Sequence, residues 1–124
     1  MELCWVTLHV ENLETSLHFY QTILGLPLSR RFVSGGIVEI AMLGKAGVPM
    51  VELICSSNDP VEKSAPGITL GFEVESLDAA MEHMKNNHVP ILRGPMSPNP
   101  TLRFCYVKDP DGYDVQLVEQ LKKH

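Results

Sequence analysis

Apolar and polar residues alternate along several short stretches of the chain, and this period of two predicts β-strands. In residues 3–10, Val6 and Leu8 lie on one face, while Trp5 and Thr7 lie on the other. The apolar face is suited to packing against helices. The opposite face is mixed in character, which suits the wall of a cavity.

Caps and turns separate the strands from two helical stretches. Asn12 and Ser76 are favourable N-caps, and Gly25 is a typical residue at the end of a helix. The predicted strands are at 3–10, 28–33, 37–43 and 50–55 around a helix between Asn12 and Gly25, and then at 67–74, 91–93, 101–108 and 113–119 around a helix that follows Ser76, with a stiff proline-rich loop at 94–100.

The second half of the chain repeats the first half at a spacing of 64 residues. Val51-Glu52-Leu53 corresponds to Val115-Gln116-Leu117, and Leu13 corresponds to Leu77. Because one spacing holds from the first strand to the last, we predict two copies of one supersecondary unit. The predicted fold is α+β, with two tandem βαβββ units that form a curved mixed sheet around a concave pocket and carry their helices outside.

This fold is predicted as a single domain over residues 1–124, with unit one at about 1–56, a linker at about 57–66 and unit two at about 67–120. Strand alternation then indicates which side chains face the concave side. A pocket with this lining is typical of a small-molecule site. The predicted ligand-binding residues are Trp5, Thr7, Glu52, Thr69, Phe104, Tyr106 and Gln116.

Charge and composition exclude several kinds of partner. Fifteen acidic residues outnumber ten lysines and arginines, and without a basic run the chain is a poor partner for nucleic acid or an anionic membrane. The N-terminus is too short and too interrupted for a signal peptide or a membrane span. Cys4, Cys55 and Cys105 show no metal-ligand spacing, so we expect buried thiols in a reducing cytoplasm.

Two segments of the sequence resemble the hallmark segments of the vicinal oxygen chelate superfamily. They are Asn12-Leu-Glu-Thr-Ser-Leu-His-Phe-Tyr-Gln-Thr-Ile-Leu-Gly-Leu26 and Asp109-Pro-Asp-Gly-Tyr-Asp-Val-Gln-Leu-Val-Glu119. That superfamily includes glyoxalase I, fosfomycin-resistance proteins, extradiol dioxygenases and the bleomycin- and mitomycin-binding resistance proteins. The resemblance implies the fold, but this fold hosts many chemistries. It also implies a substrate-facing Tyr106, as in the fosfomycin-resistance relatives.

The resemblance to bacterial glyoxalase I implies four metal-ligand positions, at Trp5, Glu52, Thr69 and Gln116. Glu52 alone is a usual ligand, because indole offers no lone pair and a threonine hydroxyl is a poor substitute for imidazole. One carboxylate and one amide are too little to hold a catalytic transition metal firmly. We therefore expect no metal ligand set and no cofactor.

Glu52 is the candidate catalytic residue, and it has two readings. A carboxylate between Val51 and Leu53 is costly to bury unless it is paired, hydrogen-bonded or protonated. The structural reading is a hydrogen bond to Gln116 or Thr69. The functional reading is that Glu52 contacts a ligand or transfers a proton.

Three functions stay open on the sequence alone. The preferred one is a cytoplasmic, metal-independent protein that binds a planar or carbonyl-bearing small molecule. The second is a lyase or isomerase of glyoxalase type, with Glu52 as the base and a divalent metal completed by water or other ligands. The third is a protein whose homodimer is its function. Relatives commonly dimerise, so a homodimer is expected in each case.

Overall fold

The computed structural model describes residues 1–56 and 67–121, so the linker predicted at about 57–66 lies outside the described residues. The chain divides into two compact units, Met1–Glu62 and Lys63–His124, called unit 1 and unit 2 below. Unit 1 contains β1 (Trp5–His9), α1 (Leu13–Leu17), a π-helical continuation of α1 (His18–Ile23), β2 (Leu28–Ser34), β3 (Val38–Leu43) and β4 (Met50–Ser56). Unit 2 contains β5 (Thr69–Glu73), α2 (Leu77–Asn86), β6 (Arg93–Asn99), β7 (Leu102–Lys108) and β8 (Asp114–Gln120).

The two units repeat the same order of elements, which confirms the predicted α+β fold of tandem βαβββ units. The first residues of β5, α2, β7 and β8 lie 64 positions after those of β1, α1, β3 and β4. Hydrogen bonds among the described residues form two four-stranded sheets, ordered β1-β4-β3-β2 and β5-β8-β7-β6. In each sheet the first and last strands of the unit pair in parallel, and the other pairs are antiparallel.

Each sheet is covered by the helix of its own unit on one face. In unit 1, Leu8, Leu43 and Leu53 are buried with Tyr20 of the helical segment. In unit 2, the core residues Val107, Val115 and Leu117 are buried on the β7 and β8 strands that contact α2. The opposite face of each sheet carries the mixed residues of the sequence pattern, and the helix of the same unit does not cover it.

The N-caps are where the sequence places them. The Thr15 backbone N–H donates to Asn12 Oδ1 at 2.9 Å, and the Ala79 N–H donates to Ser76 Oγ at 3.1 Å. The first helix then widens into its π-helical part, where the Leu24 N–H donates to the Phe19 carbonyl five residues earlier. This widening brings Phe19 into the core beside Tyr20, at a position that the helical spacing in the sequence does not indicate.

Two predictions need correction. The sequence predicts a loop at 94–100 after a strand at 91–93, but β6 runs from Arg93 to Asn99. The reason is that β6 is an edge strand, where a proline without an N–H is tolerated. The thiols are also not all buried: Cys105 is buried and Cys55 is partly buried, whereas Cys4 is exposed at the start of the chain.

Among the described residues, no helix has the length and apolar character needed to cross a membrane.

Gly94 provides a test of the packing between β6 and β7. Its φ is +103°, and a Cβ there would lie 2.8 Å from the Phe104 carbonyl oxygen and 2.9 Å from Cys105 Cα. Gly36 also has a positive φ, of +78°, but a Cβ there would meet nothing within 4 Å. Gly36→Ala should therefore cost only the backbone strain, about 1–3 kcal/mol. Gly94→Ala should lower the free energy of unfolding by at least about 1 kcal/mol more. Urea denaturation measures both, and equal losses would contradict this account of the contact.

Candidate functional site

A cavity of about 280 Å³ lies on the face of the unit 1 sheet that α1 does not cover. Its lining comes from four strands and includes two of the predicted ligand-binding residues, Trp5 and Glu52. The alternation along β4 explains the lining, because Val51 and Leu53 are buried beneath the helix and Glu52 points the other way. The lining residues are Trp5, Ser29, Arg30, Phe32, Met42, Met50 and Glu52.

The Glu52 carboxylate is held from within unit 1. Thr7 lies opposite Glu52 in the parallel β1–β4 ladder, and the Thr7 hydroxyl donates to Glu52 Oε1 at 2.6 Å. Thr7 is therefore the observed partner, whereas the sequence pattern predicts Gln116 or Thr69. An ionised carboxylate accepts at about four lone-pair positions, so one hydroxyl leaves most of its acceptor capacity for another group.

Trp5 provides the aromatic wall of this cavity. The side chain is 48% exposed, so a large part of its surface is open to contact. Trp5 pairs with Met50 in the β1–β4 ladder, two residues along the strands from the Thr7–Glu52 pair and on the same face. The structure therefore brings together three of the predicted site residues, Trp5, Thr7 and Glu52, in unit 1.

Arg30 also lines the cavity, although it is not among the residues predicted from the sequence. Its guanidinium carbon lies 4.6 Å from the centre of the Phe32 ring, in a cation–π contact. Pairing across the sheet aligns Arg30 with Met42, Met42 with Glu52, and Glu52 with Thr7. The strand prediction at 28–33 contained the signal, because a charged and an aromatic residue two positions apart share a face of a strand.

Unit 2 has a corresponding row of residues that are paired with one another across the strands of its sheet. Arg93 pairs with Tyr106, Tyr106 with Gln116, and Gln116 with Gly71, so three of these four residues lie 64 positions after Met42, Glu52 and Thr7. Gly71 has no hydroxyl to donate to the Gln116 amide, and a Cβ there would lie 3.6 Å from Gln116 Oε1.

The remaining predicted residues of unit 2 share that face. The Phe104 and Tyr106 rings meet edge to face, with their centres 5.7 Å apart. Thr69 is exposed on β5, two residues before Gly71. Thr69, Phe104, Tyr106 and Gln116 therefore lie on one sheet face of unit 2, as strand alternation predicts.

A larger groove of about 530 Å³ also lies on unit 2, and it contains none of the predicted site residues. Its lining combines apolar and charged side chains from α2 and the segment that follows it. The lining residues are Asp78, Met81, Glu82, Lys85, His88, Val89, Pro90, Ile91 and Pro95.

No thiol takes part in the unit 1 cavity. Burial raises the pKa of the Cys105 thiol, which lowers the fraction of the nucleophilic thiolate at any given pH. Cys55 Sγ lies 3.5 Å from the Glu11 carbonyl oxygen as a donor, and it is not part of the cavity lining. The geometry therefore offers a binding surface with one carboxylate rather than a cysteine nucleophile.

Comparison with known proteins identifies the family. The model of the glyoxalase/bleomycin resistance protein/dioxygenase superfamily matches residues 3–117. The chain belongs to this superfamily.

Relatives within this superfamily carry different descriptions. A protein of Neisseria meningitidis serogroup A named lactoylglutathione lyase is 33% identical, covering 97% of this chain and 91% of the relative. A glyoxalase family protein from Bacillus cereus has a TM-score of 0.85 at 23% identity, covering 98% of this chain and 95% of the other. An antibiotic binding protein from Streptomyces sp. CB03234 has a TM-score of 0.77 at 18% identity, covering 97% and 96%. At these identities the two structures support the fold alone.

The donor set does not fit the transition metal that glyoxalase I members of the superfamily hold. Of the four implied positions, Trp5 and Glu52 are in unit 1, and Thr69 and Gln116 are in unit 2. Tryptophan and threonine are not useful ligands, so Glu52 and the neutral Gln116 amide are the remaining oxygen donors of the four. Within residues 1–56 and 67–121, no group of three or more His, Cys, Asp or Glu side chains is placed to hold a metal ion.

The Thr7–Glu52 hydrogen bond can be tested directly. Thr7→Val keeps the shape of the side chain but removes the donor, so the free energy of unfolding should fall by roughly 1–2 kcal/mol. Thr7→Ser keeps the hydroxyl and should recover most of this loss. Urea denaturation of the three proteins measures the effect. Equal stability of the Val variant and the unmodified protein would show that the bond contributes nothing.

Proposed function

We propose that this superfamily member is a metal-independent protein that binds a planar or carbonyl-bearing small molecule in the unit 1 cavity. The observation that carries the proposal is the placement of an exposed indole and a carboxylate, Trp5 and Glu52, in the lining of one cavity. A volume of about 280 Å³ is near the lower end of ligand-pocket sizes, which favours a ligand of one or two rings.

Each side chain of the cavity has a separate role in this proposal. Trp5 stacks on the flat part of the ligand, which contributes about 0.5–1.5 kcal/mol beyond the burial of area. Glu52 accepts a hydrogen bond from the ligand, and Thr7 keeps the carboxylate oriented. Met42 and Met50 provide flexible, polarisable walls that adapt to the shape of the ligand.

The proposal extends to the predicted residues of unit 2. On the sheet of unit 2, we propose that Phe104 and Tyr106 form an aromatic contact surface for a ligand, and that Gln116 supplies an amide that both donates and accepts hydrogen bonds. Thr69 adds an exposed hydroxyl on the same face. The support for these roles is their shared sheet face and the correspondence between Gln116 and Glu52 in the two ladders.

A second candidate function is a glyoxalase-type lyase. The relative named lactoylglutathione lyase favours it, because that protein is 33% identical over nearly the whole chain. Glu52 would then be the residue that transfers a proton to or from the substrate. The chemistry of the residues at the four implied metal positions weighs against this candidate.

We also propose that the protein acts in the cytoplasm as a homodimer. The three free cysteines are compatible with a reducing compartment, because disulfides rarely persist there. Exposed apolar side chains, among them Val33, Ile37 and Val48, supply surface that a second copy could cover.

Fluorescence of Trp5 tests the proposed binding, because it is the single tryptophan of the chain. 2-Quinolinone and phthalimide, which are planar and carry a carbonyl group beside an N–H that can donate to Glu52, should quench the emission in a saturable way. Glu52→Gln should weaken the affinity by about threefold to tenfold, since it replaces the charged acceptor with a neutral amide. Glu39→Gln, on an exposed residue of β3, should leave the affinity unchanged.

The same three proteins are assayed for formation and breakdown of lactoylglutathione, with and without added nickel. The proposal predicts no turnover by any of them. Turnover by the unmodified protein that Glu52→Gln abolishes would favour the lyase instead. Absence of saturable quenching would contradict the binding proposal.

A further inference from the structure

The four arginines of the chain fall into two classes. Arg31 ion-pairs with Glu14 of α1, and Arg103 ion-pairs with Asp78 of α2 at 3.1 Å, on the helix-covered side of each sheet. Glu14 and Asp78 both lie in the first turn of their helix. These two arginines therefore have a structural role, because they connect each sheet to its helix.

Arg30 and Arg93 are on the opposite face and are held differently. Each guanidinium lies over an aromatic ring, with Arg30 4.6 Å from the centre of Phe32 and Arg93 4.2 Å from the centre of Tyr106. Among residues 1–56 and 67–121, no carboxylate forms an ion pair with Arg30 or Arg93. Ring stacking fixes the plane of the guanidinium but leaves its N–H donors without an anionic acceptor in the part of the chain that the structure describes.

The two arginines occupy the same place in the two sheets. Arg30 is at the end of the row Arg30–Met42–Glu52–Thr7, and Arg93 is at the end of the row Arg93–Tyr106–Gln116–Gly71. The 64-residue spacing would place the counterpart of Arg30 at Gly94, but the register irregularity in β6 between Arg93 and Met96 brings Arg93 there instead. The guanidinium position thus recurs although the sequence spacing does not preserve it.

We infer that Arg30 binds an anionic group, a carboxylate or a phosphate, of the ligand in the unit 1 cavity. Arg30 lines this cavity together with Trp5 and Glu52, so a ligand stacked on the indole comes within reach of the guanidinium. A guanidinium presents paired N–H donors that match the geometry of a carboxylate or a phosphate. The inference rests on the proposed function and narrows the ligand to an anion with a planar body.

Three probes with the same planar body separate charge from shape: 2-naphthoate, 2-naphthyl phosphate and the neutral 2-naphthamide. Binding to ¹⁵N-labelled protein is followed at the Trp5 indole N–H, which gives one assignable resonance because the chain has one tryptophan. At least one anionic probe should bind about tenfold more tightly than the amide. Comparison of the two anions shows whether a carboxylate or a phosphate is preferred.

Arg30→Gln and Arg31→Gln form a matched pair of variants, because they remove the same charge from adjacent residues on opposite faces. Arg30→Gln should abolish the preference for the anion while leaving the affinity for 2-naphthamide unchanged. Arg31→Gln should keep the preference. The affinity for the preferred anionic probe should also fall when the salt concentration is raised from 50 mM to 500 mM, whereas the affinity for 2-naphthamide should not.

Each other outcome has a defined meaning. Equal affinity for all three probes, with the indole resonance shifted in every case, would overturn the inference and keep the proposed function. An anion preference that persists in Arg30→Gln would also overturn it, since another group would then hold the charge. If no probe shifts the indole resonance, the proposed function fails and the inference fails with it.

Discussion

Parallel pairing between the first and last strands of each unit is the constraint on which the candidate site depends. The register of β1 against β4 sets Thr7 opposite Glu52, and the 2.6 Å hydrogen bond between them holds the carboxylate on the sheet face that α1 leaves open. A slip of one residue would turn Glu52 toward the buried Leu53 side. The apolar residues on that side therefore fix the register, and the register in turn positions the polar site.

Much of the fold could be predicted because the sequence carries the same unit twice. Alternation identified the strands, Asn12 and Ser76 marked the helix starts, and the 64-residue spacing related the two units. Trp5, Thr7 and Glu52 were placed together for the same reason, since strand parity depends on local sequence alone. The edge strand β6 was missed because proline argues against a strand wherever the sheet position is unknown.

The rest of the site depends on contacts that the sequence does not encode locally. The partner of Glu52 was expected in unit 2, but the ladder supplies Thr7 from the neighbouring strand. Arg30 could not be separated from Arg31 by composition, and only the face of β2 distinguishes an ion-paired arginine from one stacked on a ring. Arg93 is even harder to predict from the sequence, because a register irregularity in β6 places it one residue from the position that the repeat predicts.

The central claim is that Glu52 serves as a hydrogen-bond acceptor in a small-molecule cavity and not as the ligand of a catalytic metal. Protein purified without a chelator should contain no stoichiometric nickel, zinc or manganese by elemental analysis. Calorimetric titration of chelator-treated protein with nickel should show no stoichiometric site at micromolar concentrations. One tightly bound ion per chain, lost in Glu52→Gln and kept in Glu39→Gln, would contradict the claim.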